Sequence, residues 1–220
     1  QVFIGTHSNM IASRLGVDNL HFLDNGQISK LEGLNRDTIR FFQKSTNQNL
    51  LNFSLGKKIM LVEGNAEYIL MEKFFEMIHS KKPEDLNVSI ISVDGLSFER
   101  YLEIATCFVD KKVVVITDND SDYAGNVRSK YSSYQQFQNI KVSSDLDNDN
   151  RTFEICIYNN NKALLDSSSL TKSKNLPGYM LREKAEFALR LLEQLETDNI
   201  SKKFIIPNYI KEAIEWIIKD

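Results

Sequence analysis

Two cysteines in 220 residues are too few for a disulfide scaffold. Cys107 and Cys156 both fall in apolar segments and have no metal-ligand spacing. They are expected to be buried free thiols in a reducing, cytoplasmic setting. No apolar run approaches the ~18 residues of a membrane span, and no secretory leader is visible. A formal net charge of -3 gives no global attraction to nucleic acid, so any DNA binding must rest on local cations, bound metal or further protein. The phosphate-binding pattern Gly-x-x-x-x-Gly-Lys-Ser/Thr is missing, which excludes ATP hydrolysis by this chain alone. There is no internal repeat. What remains is a chain with 42% hydrophobic residues, enough for the core of one ordinary domain with an appended piece. The sequence starts QVFIGTHSNM without Met and reads like the interior of a domain, so a longer parent protein is expected.

The apolar pattern sets an order of elements. VFI within 1–5 reads as a strand, and Ser8 can cap a helix to about Leu15. Strands over 20–23 and 27–31 flank Asp24-Asn25-Gly26, a hairpin signal. A helix follows over about 37–44, and a boundary is expected in the polar stretch 45–56. Apolar runs then predict strands at 59–62, 88–92 and 113–117, with helices at about 66–79 and 97–108 between them. That alternation is the signature of parallel βαβ units. Residues 123–150 read as loop with a little helix, and TFEICIY (152–158) as a further strand. Residues 159–177 read as a long mobile connection. Helices over about 181–195 and 207–218 close the chain.

Acids sit where two of these strands end. Glu63 and Gly64 follow Ile59-Met60-Leu61-Val62, with Glu67 in the first turn of the next helix; Gly64 is expected to allow a sharp turn. Asp118 and Asp120 follow the strand at 113–117. Open α/β sheets place ligands at the carboxyl ends of their strands. Clustered carboxylates repel unless a cation compensates them, and hard divalent ions want several carboxylate oxygens. Taken singly, Asp118-Asn119-Asp120 is also a good turn, and Glu67 is also favourable at a helix start. Glu154 on an apolar segment is harder to explain without a partner.

LVEG (61–64) followed by ITDND (116–120) resembles the Toprim module of topoisomerases, primases and some nucleases. NAEYILMEKFF, RTFEIC, MLREKAEFALRLLE and FIIPNYIKEAIEWI extend the likeness to the C-terminal half of OLD-family (overcoming lysogenization defect) nucleases, a group that includes the Gabija antiphage nuclease. QVFIGTHSNMIASRL resembles the last strand and switch-histidine loop of the ABC-type ATPase that precedes the Toprim domain in that family. The resemblance implies an α/β fold, a Rossmann-like, mostly parallel sheet flanked by helices with a C-terminal helical portion. It implies an incomplete ATPase end over 1–50 and a Toprim nuclease domain over 57–220.

It also implies metal-dependent cleavage of DNA with two Mg²⁺ or Mn²⁺ ions. Glu63, Glu67, Asp118 and Asp120 would hold one ion, Glu154 the second, and Lys184 would assist at the scissile phosphate. His7 would sense ATP only in a complete ATPase. Partners implied are DNA, further copies joined through the ATPase portion and, for a Gabija-type protein, a helicase. Rival readings are primase-like nucleotidyl transfer and a non-catalytic DNA-docking module. Asp122 departs from the family pattern and is either a further ligand or a turn residue. Asp94-Gly95 stands where a glycine-rich turn is usual, and Asn9 where proline is common. Lys184 is either a site residue or an ordinary surface lysine. The pairs Lys111-Lys112 and Lys202-Lys203 read as solvated faces, or as contacts to phosphates.

Overall fold

The computed structural model describes residues 2–15, 19–24, 27–31, 33–44, 50–95, 98–108, 110–171, 173–197 and 200–219. Four apolar runs build its centre. Strands β3 (Lys58–Val62), β4 (Val88–Ser92), β5 (Lys112–Ile116) and β6 (Ile140–Ser143) form one sheet in the order β4-β3-β5-β6, and every pairing is parallel. Both faces of such a sheet are covered, and successive side chains serve opposite faces. Met60, Val62, Val114 and Ile116 point into a core shared with α4 (Asn65–His79), α6 (Phe153–Asp166), α7 (Leu176–Arg182), α8 (Lys184–Thr197) and α9 (Asn208–Ile218). Ile59, Leu61, Val113 and Val115 point into the other core. That side is closed by α5 (Phe98–Ala105) and by the N-terminal elements α1 (Asn9–Leu15), α2 (Arg36–Lys44) and α3 (Leu50–Leu55).

The connections fix where a ligand can sit. After β3 the chain enters α4 on one face; after β5 it enters a π-helical turn, Ala124–Ser129, whose Val127 packs on the other. Neighbouring strands that send their connections to opposite faces leave a crevice at their carboxyl ends, the switch point of open α/β sheets. Glu63 leaves β3 and Asp118 leaves β5 at that crevice.

Several expectations agree with the structure: the antiparallel pair β1 (His21–Asp24) and β2 (Gln27–Lys30), helices α1, α2, α4, α5 and α9, and strands β3 to β5. The Asn25-Gly26 turn and residues 45–49 of the expected boundary lie outside the described residues. Other expectations are corrected. Residues 2–8 form no strand. TFEICIY is not a strand: Phe153 opens the helical segment α6, which kinks at Asn161 (φ -129°, ψ 20°) within the Asn run that had read as mobile connection. The helix expected at 181–195 is two, α7 and α8, broken at Glu183. Polar residues 123–150 contain the unforeseen edge strand β6. Gly64 is extended (φ -149°), a conformation open to any residue, so it supplies no sharp turn. Asp94 and Gly95 carry the left-handed turn instead, at φ 51° and 69°.

The lysine pair is corrected too. Lys111 is buried, its Nζ donating to the carbonyls of Phe53, Ser54 and Gly56 at the end of α3. Lys112 donates to the carbonyls of Trp216 and Lys219. Neither is a solvated face, whereas Lys202 and Lys203 are exposed. Both cysteines are free; Cys156 is buried and Cys107 partly so. No helix among the described residues is long and apolar enough to cross a membrane.

Candidate metal centre

Three separate stretches of chain bring carboxylates to the switch point. Glu63 stands one residue past β3, where its carbonyl accepts the Gly95 N–H at 2.9 Å, tying the Asp94-Gly95 turn to the rim. Glu67, in the first turn of α4, points inward and is only 4% exposed. Asp118 and Asp120 follow β5. Glu154 lies in the first turn of α6, fully buried.

The segment after β5 is held from several sides. Asp118 Oδ1 accepts the Phe153 N–H at 2.7 Å, so this carboxylate meets the positive end of α6. The Asp120 N–H donates to the Arg151 carbonyl at 3.0 Å. Asn119 between them is buried. Its Nδ2 donates to the carbonyls of Asp145 and Asp147, both at 2.9 Å, and its Oδ1 accepts the Ser121 N–H. Asp120 and Ser121 are both left-handed, at φ 49° and 66°, a conformation that costs a non-glycine residue energy and that this network maintains.

Charge accumulates accordingly. Burial, then Glu63, Glu67 and Glu154, lifts the Asp118 carboxyl to about 8. Burial lifts Glu67 to about 7, with Glu154 and Glu63 adding to it. Glu63 is also raised, by burial first and by Asp120 and Glu154, while Lys184 opposes the shift. Lys184, at the start of α8, brings Nζ to 3.2 Å from Glu154 Oε1. Half-burial pulls its pKa down, but Glu154, Asp118 and Glu67 outweigh this and raise it, so it stays charged. Even so, neither Glu154 oxygen receives a well-aligned hydrogen bond among the described residues.

These residues are those that the sequence had singled out, and they face one another: Glu63, Glu67, Asp118, Asp120, Glu154 and Lys184. Glu63, Asp118 and Asp120 line a cavity of about 340 Å³ together with Asn126, Lys130 and Tyr131. Asp122 turns away from it, exposed, with Oδ1 accepting the Gly125 N–H that opens the π-helical turn. His7 is exposed in the irregular segment 2–8. Sequence reasoning passed over Asn119, which positions both aspartates, and Lys130, which brings a cation to the cavity. Asn119 stood in plain view between two acids but read as a turn residue. Lys130 lies in a polar stretch with nothing to mark it.

The donor set suits a hard divalent cation: carboxylate oxygens, with both oxygens of buried Glu154 lacking a hydrogen bond among the described residues. As the side chains stand, no three His, Cys, Asp or Glu groups among the described residues surround a single point, so binding would require the acids to swing inward over the cavity.

A family profile described as "Overcoming lysogenization defect protein-like, TOPRIM domain" matches residues 55–120. No curated protein matches. Among solved structures, the C-terminal region of the Xanthomonas campestris pv. campestris OLD protein superposes with a TM-score of 0.47 at 18% identity, covering 75% of this chain and 93% of that one. The C-terminal region of the Burkholderia pseudomallei OLD protein gives 0.41 at 21% identity, covering 74% and 97%. The likeness that the profile describes is confined to residues 55–120.

Proposed function

We propose, from the premise that residues 55–120 belong to an OLD-like Toprim domain, that this chain hydrolyses phosphodiester bonds in DNA with the help of Mg²⁺ or Mn²⁺. One observation carries the reading: five carboxylates from three chain segments converge at the switch point, with Asp118 and Glu67 raised to about 8 and about 7 by burial first and by the neighbouring acids after it.

Glu63, Glu67, Asp118 and Asp120 would hold one ion and Glu154 a second; Asp122, engaged with Gly125, is left out. Bound there, the ions would supply charge stabilisation at the phosphoryl oxygens and acidify the attacking water. The protein's own groups do the rest. Glu63, half-buried at the rim with a raised pKa, is suited to take a proton from water near neutral pH. Lys184 keeps its charge and, once released from Glu154, can face the negative charge that grows on the phosphate. Asn119 keeps both aspartates in place.

On the same reading residues 1–50 are the end of an ABC-type ATPase domain. ATP would act through the remainder of that domain, and copies would assemble through it. The exposed apolar side chains of Val2, Phe3, Ile4 and Met10 favour contact with further protein there. Antiphage defence, with a helicase partner, is the setting that fits a Gabija-like relative.

The test is nicking of supercoiled plasmid with Mg²⁺ or Mn²⁺. Asp118→Asn keeps an oxygen for the Phe153 N–H, so α6 stays capped while the charge goes. Activity should fall by about 100-fold or more in Asp118→Asn and Glu63→Gln, and vanish in chelator. Parental nicking by both variants would end the assignment. Extension of a primer from added nucleotides, in place of nicking, would favour primase-like transfer.

A further inference from the structure

Tyr131 is a partition. It lines the acid cavity at the switch point, and it also lines a second cavity of about 240 Å³ against the edge strand β6. The two compartments differ in chemistry. The first holds Glu63, Asp118 and Asp120. The second is walled by Tyr123, Tyr131 and Tyr134, with Arg128 and Gln135 exposed beside them, and among the described residues no carboxylate lines it. Its volume is of the size that one flat heterocycle needs.

The walls are fixed before any ligand arrives. Tyr134 Oη donates to the Glu99 carbonyl at 3.2 Å, and the Tyr123 N–H donates to Asn148 Oδ1 at 2.9 Å. The Tyr131 N–H returns to the Val127 carbonyl at 3.1 Å, and Lys130 Nζ lies 5.1 Å from the Tyr131 ring centre. The π-helical turn, Ala124–Ser129, carries Arg128 between these tyrosines; such turns are frequent at functional sites. Tyr131 is 2% exposed and can only divide, whereas Tyr123 and Tyr134 keep part of their surface open. Aromatic faces next to a guanidinium are the ordinary means of holding an unpaired base and its phosphate.

The geometry points to a nucleobase site: the tyrosine cavity takes one unpaired base of the DNA strand whose phosphate lies in the acid cavity. This rests on the nuclease reading and adds a substrate class to it, single-stranded or locally opened DNA. A paired base cannot enter, because its faces are covered by its neighbours in the duplex. Arg128 meets the phosphate next to the extruded base, and Gln135 can hydrogen-bond its edge.

Anisotropy of a short fluorescein-labelled DNA oligonucleotide, single-stranded or annealed to its complement, tests it in Ca²⁺. The parent protein should bind the single strand about tenfold or more tightly than the duplex. Tyr123→Ala with Arg128→Ala should lose about tenfold on the single strand, in line with loss of a stacked base, and so lose the preference. Tyr123→Phe should keep it, which guards against a folding defect in the alanine variant. Equal binding of both forms by the parent, binding of neither, or an undiminished preference in the double variant would each overturn the site. Plasmid nicking is read separately. A protein that nicks without preferring single strands loses only this inference, and one that prefers them without nicking loses only the nuclease reading.

Discussion

Lys184 Nζ lies 3.2 Å from Glu154 Oε1, joining a half-exposed ammonium to a carboxylate with no exposure at all. The pair is asymmetric, and its two halves should respond differently to removal. Lys184→Ala strands a buried charge and should cost about 1–2 kcal/mol in urea unfolding, less than the ~3–5 of a wholly buried pair because water reaches the lysine. Glu154→Gln removes the charge that needs a partner and should leave metal-free stability within about 0.5 kcal/mol of the parent or above it. The double variant should recover most of the Lys184→Ala loss. Additive losses would show that the two side chains do not act on each other.

Metal-free stability should fall as pH rises from about 4 to about 8. Folded Asp118 and Glu67 keep their protons up to about 8 and about 7, against ordinary values of 3.8 and 4.5. The folded state therefore binds more protons than the unfolded one in that window, and stability declines with pH across it. The contribution is complete below about 4 and lost above about 8. Melting followed in chelator at several pH values checks the slope. Mn²⁺ should reverse it, since ions bind the deprotonated acids of the folded state. A melting temperature that rises between pH 5 and 8 in chelator would contradict the burial of these acids.

Asn119→Ala should lower stability by about 2–3 kcal/mol, because it leaves the Asp145 and Asp147 carbonyls and the Ser121 N–H without their partner. Its second effect is more telling. Asp118 and Asp120 would lose their anchorage, so affinity for Mn²⁺ measured calorimetrically should weaken by about tenfold, the size expected when support behind ligands is removed. Unchanged affinity in a destabilised protein would limit Asn119 to a structural role.

Lys111→Met should be one of the most damaging changes outside the site, at about 2–4 kcal/mol in chemical denaturation. Three carbonyls at the end of α3 would lose a charged donor while staying buried. Arg at this position should not restore stability, because a planar fork cannot replace a point donor in a space shaped for an ammonium.

Much of this was legible in the sequence where burial is two-sided. Strands β3, β4 and β5 are short, nearly continuous apolar runs, and the acids after β3 and β5 could be placed at a sheet edge from order alone. Glu154 was singled out but set on the wrong element. TFEICIY is rich in aromatic and β-branched residues over seven positions, too few to separate the two periods. The buried set Phe153, Glu154, Cys156, Ile157, Asn161 and Leu165 has helical spacing, but Asn159, Asn160 and Asn161, residues of low helix propensity, interrupt it. Edge strand β6 buries only Ile140 and Ser143 of its four residues, so its signal is faint. Lys111 misled because its partners lie more than fifty residues away, and no local pattern announces carbonyls waiting at the end of another helix.

The acids come from the ends of two non-consecutive strands and from two helix starts, and the last of them, Glu154, follows Glu63 by 91 positions. No fragment of the sheet contains the set. A nascent or half-melted molecule therefore lacks the cluster, because the set comes together only once β3, α4, β5 and α6 are all in place. The route that the chain takes through its own sheet thus makes the acid cluster a signature of completed folding.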